Sequence, residues 1–440
     1  MSRREWLLLF AAVLVFRLAH QGILWVEEAY PMAAAVQAGY GLIPYRDYFF
    51  DKPPLAILFY LAPLPLRLLG ALYVTLCAYL VWRFSDRERW AGWLTAFFFT
   101  LGTPAAAMAL SPDLLMFAPH VAAVWMASRG RAAASGLLCG VALLTHVKGL
   151  LVIAAALLFL PTLWIPVIGL SVGALPLLIP GCWEQVLAFG QLYSKDTFVA
   201  DPWGEGFRRS AAWLGFHLAI VIPALFALRK ERDWRWVVWL AISAAGVVLG
   251  LRFFPRYYFQ LLPAVILLAA RGLRGMPRGW RIAALVLLLV PAVRFGPRYA
   301  RLALQGDAGW SDTAMNRDSR KAAAMIPRGA SVLVWGYRPD ILVYSKARLG
   351  APFLDSQPLT GVLADRHLAS AHVTAPDLAR RNRERLVRTS PEYVIDGLGP
   401  YNPKLAITGY PDLREWLSRY EVAGRTEGSV IYRLSSAPAR

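Results

Sequence analysis

Charge is scarce in this chain: 17% of its 440 residues are Asp, Glu, Lys or Arg, where a soluble domain carries about a quarter, and 57% are hydrophobic. That shortage excludes an ordinary soluble fold and implies an integral membrane protein. Cysteine is rarer still. Cys77, Cys139 and Cys182 are scattered in or beside apolar segments, so their spacing encodes neither a disulfide framework nor a thiolate metal site. A G-x-G-x-x-G turn, a P-loop and an H-E-x-x-H helix are also missing, which removes the signatures of dinucleotide, nucleoside-triphosphate and zincin chemistry. No internal repeat or low-complexity tract is present. The basic, apolar N-terminus lacks a small-residue cleavage site before Glu27, so it reads as a retained first span and not as a signal peptide.

Positive charge is what the chain has in excess. A formal net charge of +19 would suggest nucleic acid in a soluble protein, but the bases fall in short runs between apolar segments: MSRRE, RFSDRERW, SRGR, RKERDWR and RGLRGMPRGWR. The positive-inside bias produces such runs on cytoplasmic loops, so membrane lipid is the expected partner and nucleic acid is not. A span needs about 20 mainly apolar residues, fewer where protein lines it. Eleven are expected, near 5–25, 67–83, 90–109, 112–128, 132–147, 149–162, 164–180, 211–228, 236–251, 256–271 and 281–297. With the basic runs inside, the N-terminus is cytoplasmic. The loops holding Glu27 and Glu28, Asp113, His146 and Lys148, the 181–210 segment and 252–256 fall outside, as does everything after 297. The stretch 53–66, PPLAILFYLAPLPL, is too short and Pro-rich for a span and reads as a re-entrant piece lining a cavity, where broken backbone is tolerated.

After about Pro297 the apolar runs shorten and acids become frequent. Strands are expected at 330–336 (ASVLVWG), 340–345 (DILVYS) and 392–397 (EYVIDG), with helices over 360–388 and 411–420. A closing RYEVAGRTEGSVIYRL, turning at Glu-Gly-Ser, reads as a hairpin. The expected fold is therefore a polytopic α-helical membrane domain over 1–297, with external loops 26–52 and 181–210, and a small α/β extracytoplasmic domain over 298–440. Nothing in that tail nominates a catalytic residue, and it reads as a cover or acceptor-contacting module.

Directly after the first greasy segment comes WVEEAYPMAAAVQAGYGLIPYRDYFFDKPPL, residues 25–55. Carboxylates at a membrane boundary are costly to bury, so acids facing a cavity there are functional candidates. Glu27 and Glu28 could instead begin a solvated loop or pair with Arg46 and Lys52. Three features favour function. Adjacent carboxylates in a low dielectric repel, which favours keeping a proton on one and suits a general base. An amphipathic stretch follows that can lie along the interface. Then Asp51-Lys52-Pro53-Pro54-Leu55 uses a rigid Pro pair to direct a cation toward the membrane.

An acidic pair after the first span, an interfacial loop and Lys52-Pro53-Pro54-Leu55 together resemble the GT-C membrane glycosyltransferases. The closer likeness is to the protein O-mannosyltransferase and aminoarabinose-transferase-like branch, including bacterial proteins grouped as RgtA/B/C/D-like. The likeness continues in Ser111-Pro112-Asp113, in Leu144 to Gly149 where the family has Leu-Thr-Lys-Gly, in Arg256 to Pro263, and in the order of the tail segments. The chain departs from the family in having Glu27-Glu28 for Asp-Glu and in the His146-Val147 pair that interrupts Leu-Thr-Lys-Gly.

The resemblance implies transfer of a sugar from a polyprenyl-phosphate donor to a lipid, polysaccharide or protein acceptor, by inversion, at the outer face of a bacterial inner membrane. It implies catalytic roles for Glu27 as base, Glu28 and Asp113, and positive charge for the departing phosphate from Lys52, Lys148, Arg252 and Arg256, with Tyr257 and Tyr258 as hydrogen-bond donors. It leaves room for a divalent metal, with Glu27 and Glu28 the candidate ligands. Each residue also has a plainer reading. Lys148 can snorkel from a helix end, Arg252 and Arg256 can anchor to head groups, Tyr257 and Tyr258 can belong to the interfacial aromatic belt, and Asp113 can complement a helix dipole after Pro112. His146 has no obvious partner. A transporter or flippase of lipid-linked sugars is the competing class; it would be expected to show related halves and charges at mid-span.

Overall fold

The computed structural model describes residues 1–194, 197, 200–363 and 373–435. Helix α1 (Arg3–Leu18) starts at a capping box in which Ser2 Oγ accepts from Glu5 N at 3.3 Å and Glu5 Oε2 accepts from Ser2 N at 2.6 Å. Helix α2 (Val26–Ala38) has the acid pair in its first turn, where negative charge complements the helix dipole. The Pro-rich 53–66 stretch forms only a six-residue helix, α3 (Leu55–Tyr60), before Pro65 opens the long α4 (Leu66–Phe84).

Eleven uninterrupted spans are not what the helices deliver. Among the described residues, α4 and Arg278–Gln305 are long and apolar enough to cross a bilayer, or four units are if each of two bent pairs counts once. Those pairs are Trp164–Leu178 with Trp183–Ser194, bent by 109°, and Pro202–Phe216 with Leu218–Lys230, bent by 89°. Other expected spans are apolar helices too short to cross alone, such as Ala132–Thr145, Gly149–Phe159 and Arg235–Val248. The breaks have covalent causes: Arg89–Phe98 gives way to a short helix at Pro104–Ala107, and Ser111-Pro112 starts another at Pro112–Leu115. The short helices pack closely. A Cβ on Gly140 would lie 2.5 Å from Val172 Cβ, so the helices Ala132–Thr145 and Trp164–Ala174 meet only because a glycine is there.

The tail carries a five-stranded sheet of β1 (Ser331–Trp335), β2 (Arg348–Leu349), β3 (Tyr393–Asp396), β4 (Tyr420–Arg425) and β5 (Val430–Leu434), in the order β2-β1-β3-β5-β4. β1 runs parallel to β2 and β3, while β5 pairs antiparallel with β3 and with β4. The expected strand at 340–345 is a helix, Asp340–Ser345. A short apolar run buried on all sides looks alike as strand or helix, and here Pro339, which has no N–H to lose, precedes the first helical residue. Pro376–Leu386 is helical within the expected 360–388; residues 364–372 lie outside the described ones. The expected 411–420 helix is reduced to a 3-10 turn and Arg414–Leu417 before β4 begins. The change of composition at Pro297 falls inside the helix Leu289–Gln305, which ends at left-handed Gly306.

One buried cluster joins α2 to the sheet: Ala29, Ala33 and Ala34 pack with Val332, Val334, Ile341 and Ile395. Polar contacts fix the register of that docking. Gln37 donates to Ala347 O at 3.0 Å and accepts from Leu349 N at 2.9 Å, and Asn316 Nδ2 donates to Leu24 O at 3.0 Å. The tail is thereby held against the segment that carries the acid pair.

Candidate active site

Neighbours on a helix point about 100° apart, and the two glutamates separate accordingly. Glu28 is fully buried. Its Oε1 accepts from Trp25 N at 3.0 Å and from Arg67 Nη2 at 2.7 Å, and its Oε2 accepts from Arg67 Nη1 at 3.1 Å. Arg67 also donates to the carbonyls of His20 and Ile23, so one guanidinium ties the end of α1 and the start of α2 to α4. Glu27 turns the other way, and its Oε1 accepts from Arg256 Nη1 at 2.6 Å. Each acid has its own arginine, so the expected mutual repulsion is replaced by two separate attractions. Arg46 and Lys52 pair instead with Asp47 and Asp51, at 2.9 and 2.7 Å.

Arg256 continues to Asp113, whose Oδ2 is 3.4 Å from its Nε. Asp113 sits in the first turn of Pro112–Leu115, where Ser111 Oγ accepts from Leu114 N at 3.3 Å. The other oxygen of Asp113 lies 3.8 Å from Lys148 Nζ and 3.6 Å from His146 Nε2. His146 therefore has a partner after all. Its Nδ1 accepts from Lys148 N at 3.0 Å, which leaves the ring proton of the neutral imidazole on Nε2, facing Asp113. Lys148 Nζ sits 3.5 Å above the Tyr257 ring centroid. The His146-Val147 insertion makes this possible: Gly149 N bonds back to His146 O at 2.8 Å, and Lys148 caps the next helix, Gly149–Phe159.

Glu27, Arg256, Asp113 and Lys148, from four separate segments, thus form one chain of alternating charge that ends on the Tyr257 ring. Asp113 Oδ1 and Lys148 Nζ are buried with no hydrogen-bond partner among the described residues. Buried charge without hydrogen bonds is expensive, and such groups concentrate at functional sites.

Lys52 and Arg252 meet at a residue the sequence did not nominate. Lys52 Nζ is 5.6 Å and the Arg252 guanidinium 3.8 Å from the ring centroid of Tyr193. Burial works against the Lys52 charge, but the Asp51 carboxylate more than offsets it, so its ammonium is held above the usual lysine range. Tyr258 is not brought to this group. In the 3-10 turn Pro255–Gln260 adjacent residues diverge by about 120°, and Tyr258 stacks on Trp213, with its hydroxyl 2.8 Å from Ser210 Oγ. There it lines a cavity of about 190 Å³ with Phe98, Phe216 and Phe259 and the arginines Arg208, Arg209 and Arg294. Of the 181–210 loop, Lys195 and Asp196 lie outside the described residues, Asp201 caps Pro202–Phe216, and Gln185 bonds to Phe50 N and Tyr45 O at 2.8 and 2.7 Å. Among the described residues no three His, Cys, Asp or Glu side chains are grouped to hold a metal, and Glu27 and Glu28 face apart.

Arg67, Tyr193 and His146 were missed as site residues. Arg67 had a signal, a lone cation opening an apolar span; Tyr193 had none, because the 181–210 segment is set apart only by its length and polarity.

No family model matches the chain, and no curated protein matches it. Solved structures do. ArnT from Cupriavidus metallidurans bound to undecaprenyl phosphate superposes with a TM-score of 0.62 at 14% identity, covering 98% of each chain. ArnT from the same organism in the apo state gives 0.55 at 16% identity, again covering 98% of each. The likeness to the aminoarabinose-transferase branch of the GT-C family expected from the sequence is met in the fold: this chain is built like ArnT over nearly its whole length.

Proposed function

We propose that the protein is a GT-C-type glycosyltransferase of a bacterial inner membrane, taking a sugar from a polyprenyl-phosphate donor and giving it to an acceptor hydroxyl on the extracytoplasmic face. The observation that carries this reading is the Glu27–Arg256–Asp113–Lys148 chain in a fold shared with a protein solved in complex with undecaprenyl phosphate. A carboxylate able to take a proton sits beside cations able to receive a phosphate, which is what a one-step displacement at an anomeric carbon needs.

Glu27 is the general base. Its pairing with Arg256, at 2.6 Å, holds the carboxylate in place before the acceptor arrives. As the acceptor oxygen bonds to the anomeric carbon, its proton passes to Glu27. The bond from that carbon to the phosphate oxygen breaks with inversion, and its electron pair leaves on the polyprenyl phosphate. Arg256 and Lys148 meet the charge that develops there, with Lys52 and Arg252 contributing from the Tyr193 side. Asp113 positions Arg256 and Lys148 between the two roles. Glu28 acts at one remove, through Arg67, by fixing the start of α2. Residues 298–440 form the extracytoplasmic cover, docked on α2, and the N-terminus is cytoplasmic.

The test uses native-host cells whose only copy is wild type or Glu27→Gln, with mass spectrometry of envelope glycoconjugates and lipid carriers. One glycoconjugate should lose one sugar while the matching polyprenyl-phosphate sugar accumulates. Unchanged carriers and glycoconjugates, with the variant present at normal level, would overturn the assignment.

A further inference from the structure

We infer that the face bearing the basic runs holds a binding site for the headgroup of an anionic phospholipid, built where α4 meets the helix Phe117–Ser128 and separate from the reaction proposed above. Four arginines, Arg83, Arg87, Arg129 and Arg131, line a concavity of about 540 Å³ together with Trp125 and a single acid, Asp86. Asp86 is engaged by Arg129 at 3.2 Å, while Arg87 and Arg131 make no ion pair among the described residues. The concavity therefore holds a surplus of positive charge that no acid among the described residues neutralises.

One ring in its lining offers an apolar surface, Trp125. The Arg83 guanidinium lies 5.6 Å from the Trp125 ring centroid and donates to Tyr79 Oη at 3.2 Å. On the rim, Asp86 and Arg87 both take left-handed backbone angles, φ 54° and 68°, costly for residues with a Cβ.

What selects a lipid over a free phosphate is the approach. Leu72, Leu76 and Tyr79 are exposed large side chains on α4, and with Arg83 they stand at i, i+4, i+7 and i+11, one continuous stripe. Eleven residues of helix rise about 16 Å, close to half of a bilayer's hydrocarbon thickness of about 30 Å. The stripe is thus one leaflet deep and ends in the basic concavity: acyl chains lie along Leu72, Leu76 and Tyr79, and the phosphate sits among the arginines.

The test is the thermal unfolding midpoint of the full-length protein in neutral detergent, titrated with phosphatidylglycerol, with phosphatidylcholine of the same chains, and with inorganic phosphate. Only phosphatidylglycerol should raise the midpoint at low concentration. Arg87→Gln/Arg131→Gln, both at exposed positions, should weaken its apparent affinity about 30-fold, the loss expected for two arginines at such a surface. Arg274→Gln/Arg278→Gln removes the same charge from another basic run and should leave the affinity within about threefold. Equal protection by phosphatidylcholine would overturn the inference, as would equal protection by inorganic phosphate alone. So would an equal loss in the second double variant, which would mean diffuse attraction of basic loops to the membrane.

Discussion

Glu27→Gln and Glu28→Gln, the same small change at adjacent positions, are expected to fail in different ways. Glu28 accepts three hydrogen bonds, from Trp25 N at 3.0 Å and from Arg67 at 2.7 and 3.1 Å, and both side chains are almost wholly buried, at 0% and 5% exposure. A glutamine there leaves the Arg67 charge unpaired in the interior, a loss of about 3–5 kcal/mol. Glu27 is 18% exposed in its pair with Arg256. That partly solvated pair is worth about 1 kcal/mol or less to stability, whereas losing a general base costs a factor of about 10² to 10⁴ in rate, roughly 3–5 kcal/mol on the barrier. The assay is paired: unfolding midpoint of the purified full-length protein, and sugar transfer in cells at matched protein level. Glu28→Gln should unfold at least several degrees earlier, and Glu27→Gln should unfold like wild type but transfer almost nothing. A Glu28→Gln protein as stable as wild type, or a Glu27→Gln protein that still transfers, would refute the division of roles.

Arg256 reaches Glu27 and Asp113 through different nitrogens, Nη1 and Nε, which a lysine cannot do; Arg256→Lys should keep the fold and lower transfer at limiting donor at least about tenfold, measured as rate against donor concentration. Gly70→Ala should destabilise by about 2–3 kcal/mol in unfolding-midpoint measurements, because the new methyl would displace the buried Arg17 guanidinium from the carbonyls of Met108 and Ala107, each at 3.0 Å. In the tail, burial disfavours the Asp318 charge, but the Gly428 N–H and the Arg338 guanidinium at 3.0 Å outweigh it and hold the carboxyl below the ordinary range. A depressed folded-state value stabilises fully above the unfolded value near 4 and is lost as pH falls through the folded one, so the hydrogen-exchange protection factors of β4 and β5, referred to the intrinsic exchange rate at each pH, should fall on acidification below about pH 4, and this fall should be blunted in Asp318→Asn.

Much of the site could be read because its chemistry is local. Glu27, Asp113, Lys148 and Arg256 each stand beside a Pro, Gly or helix start that marks a break in an apolar segment, and breaks at membrane depth are where charge is useful. What could not be read is direction. Glu28 and Tyr258 were grouped with their neighbours because adjacency in sequence looks like adjacency in space; helical geometry sends each to a different partner, Arg67 and Trp213. His146 gained its partner only when the chain folded Asp113 opposite it. The tail's hairpin followed from its turn between alternating residues and β1 and β3 from short strand-like runs, but the mostly buried 340–345 run, which looks the same, carries no period to separate helix from strand. The length rule for spans failed for a related reason: Pro and Gly cut the apolar segments into helices that become adequate only by packing on one another.

The central claim is that Glu27 drives the departure of a sugar from a polyprenyl phosphate. Its most direct test is to incubate purified full-length protein with total lipid from cells lacking it, supply their envelope fraction as acceptor, and quantify free polyprenyl monophosphate by mass spectrometry. Wild type should release polyprenyl monophosphate in step with acceptor glycosylation, and Glu27→Gln should release none above the protein-free control. Equal release by both proteins, or none by wild type, would contradict the account.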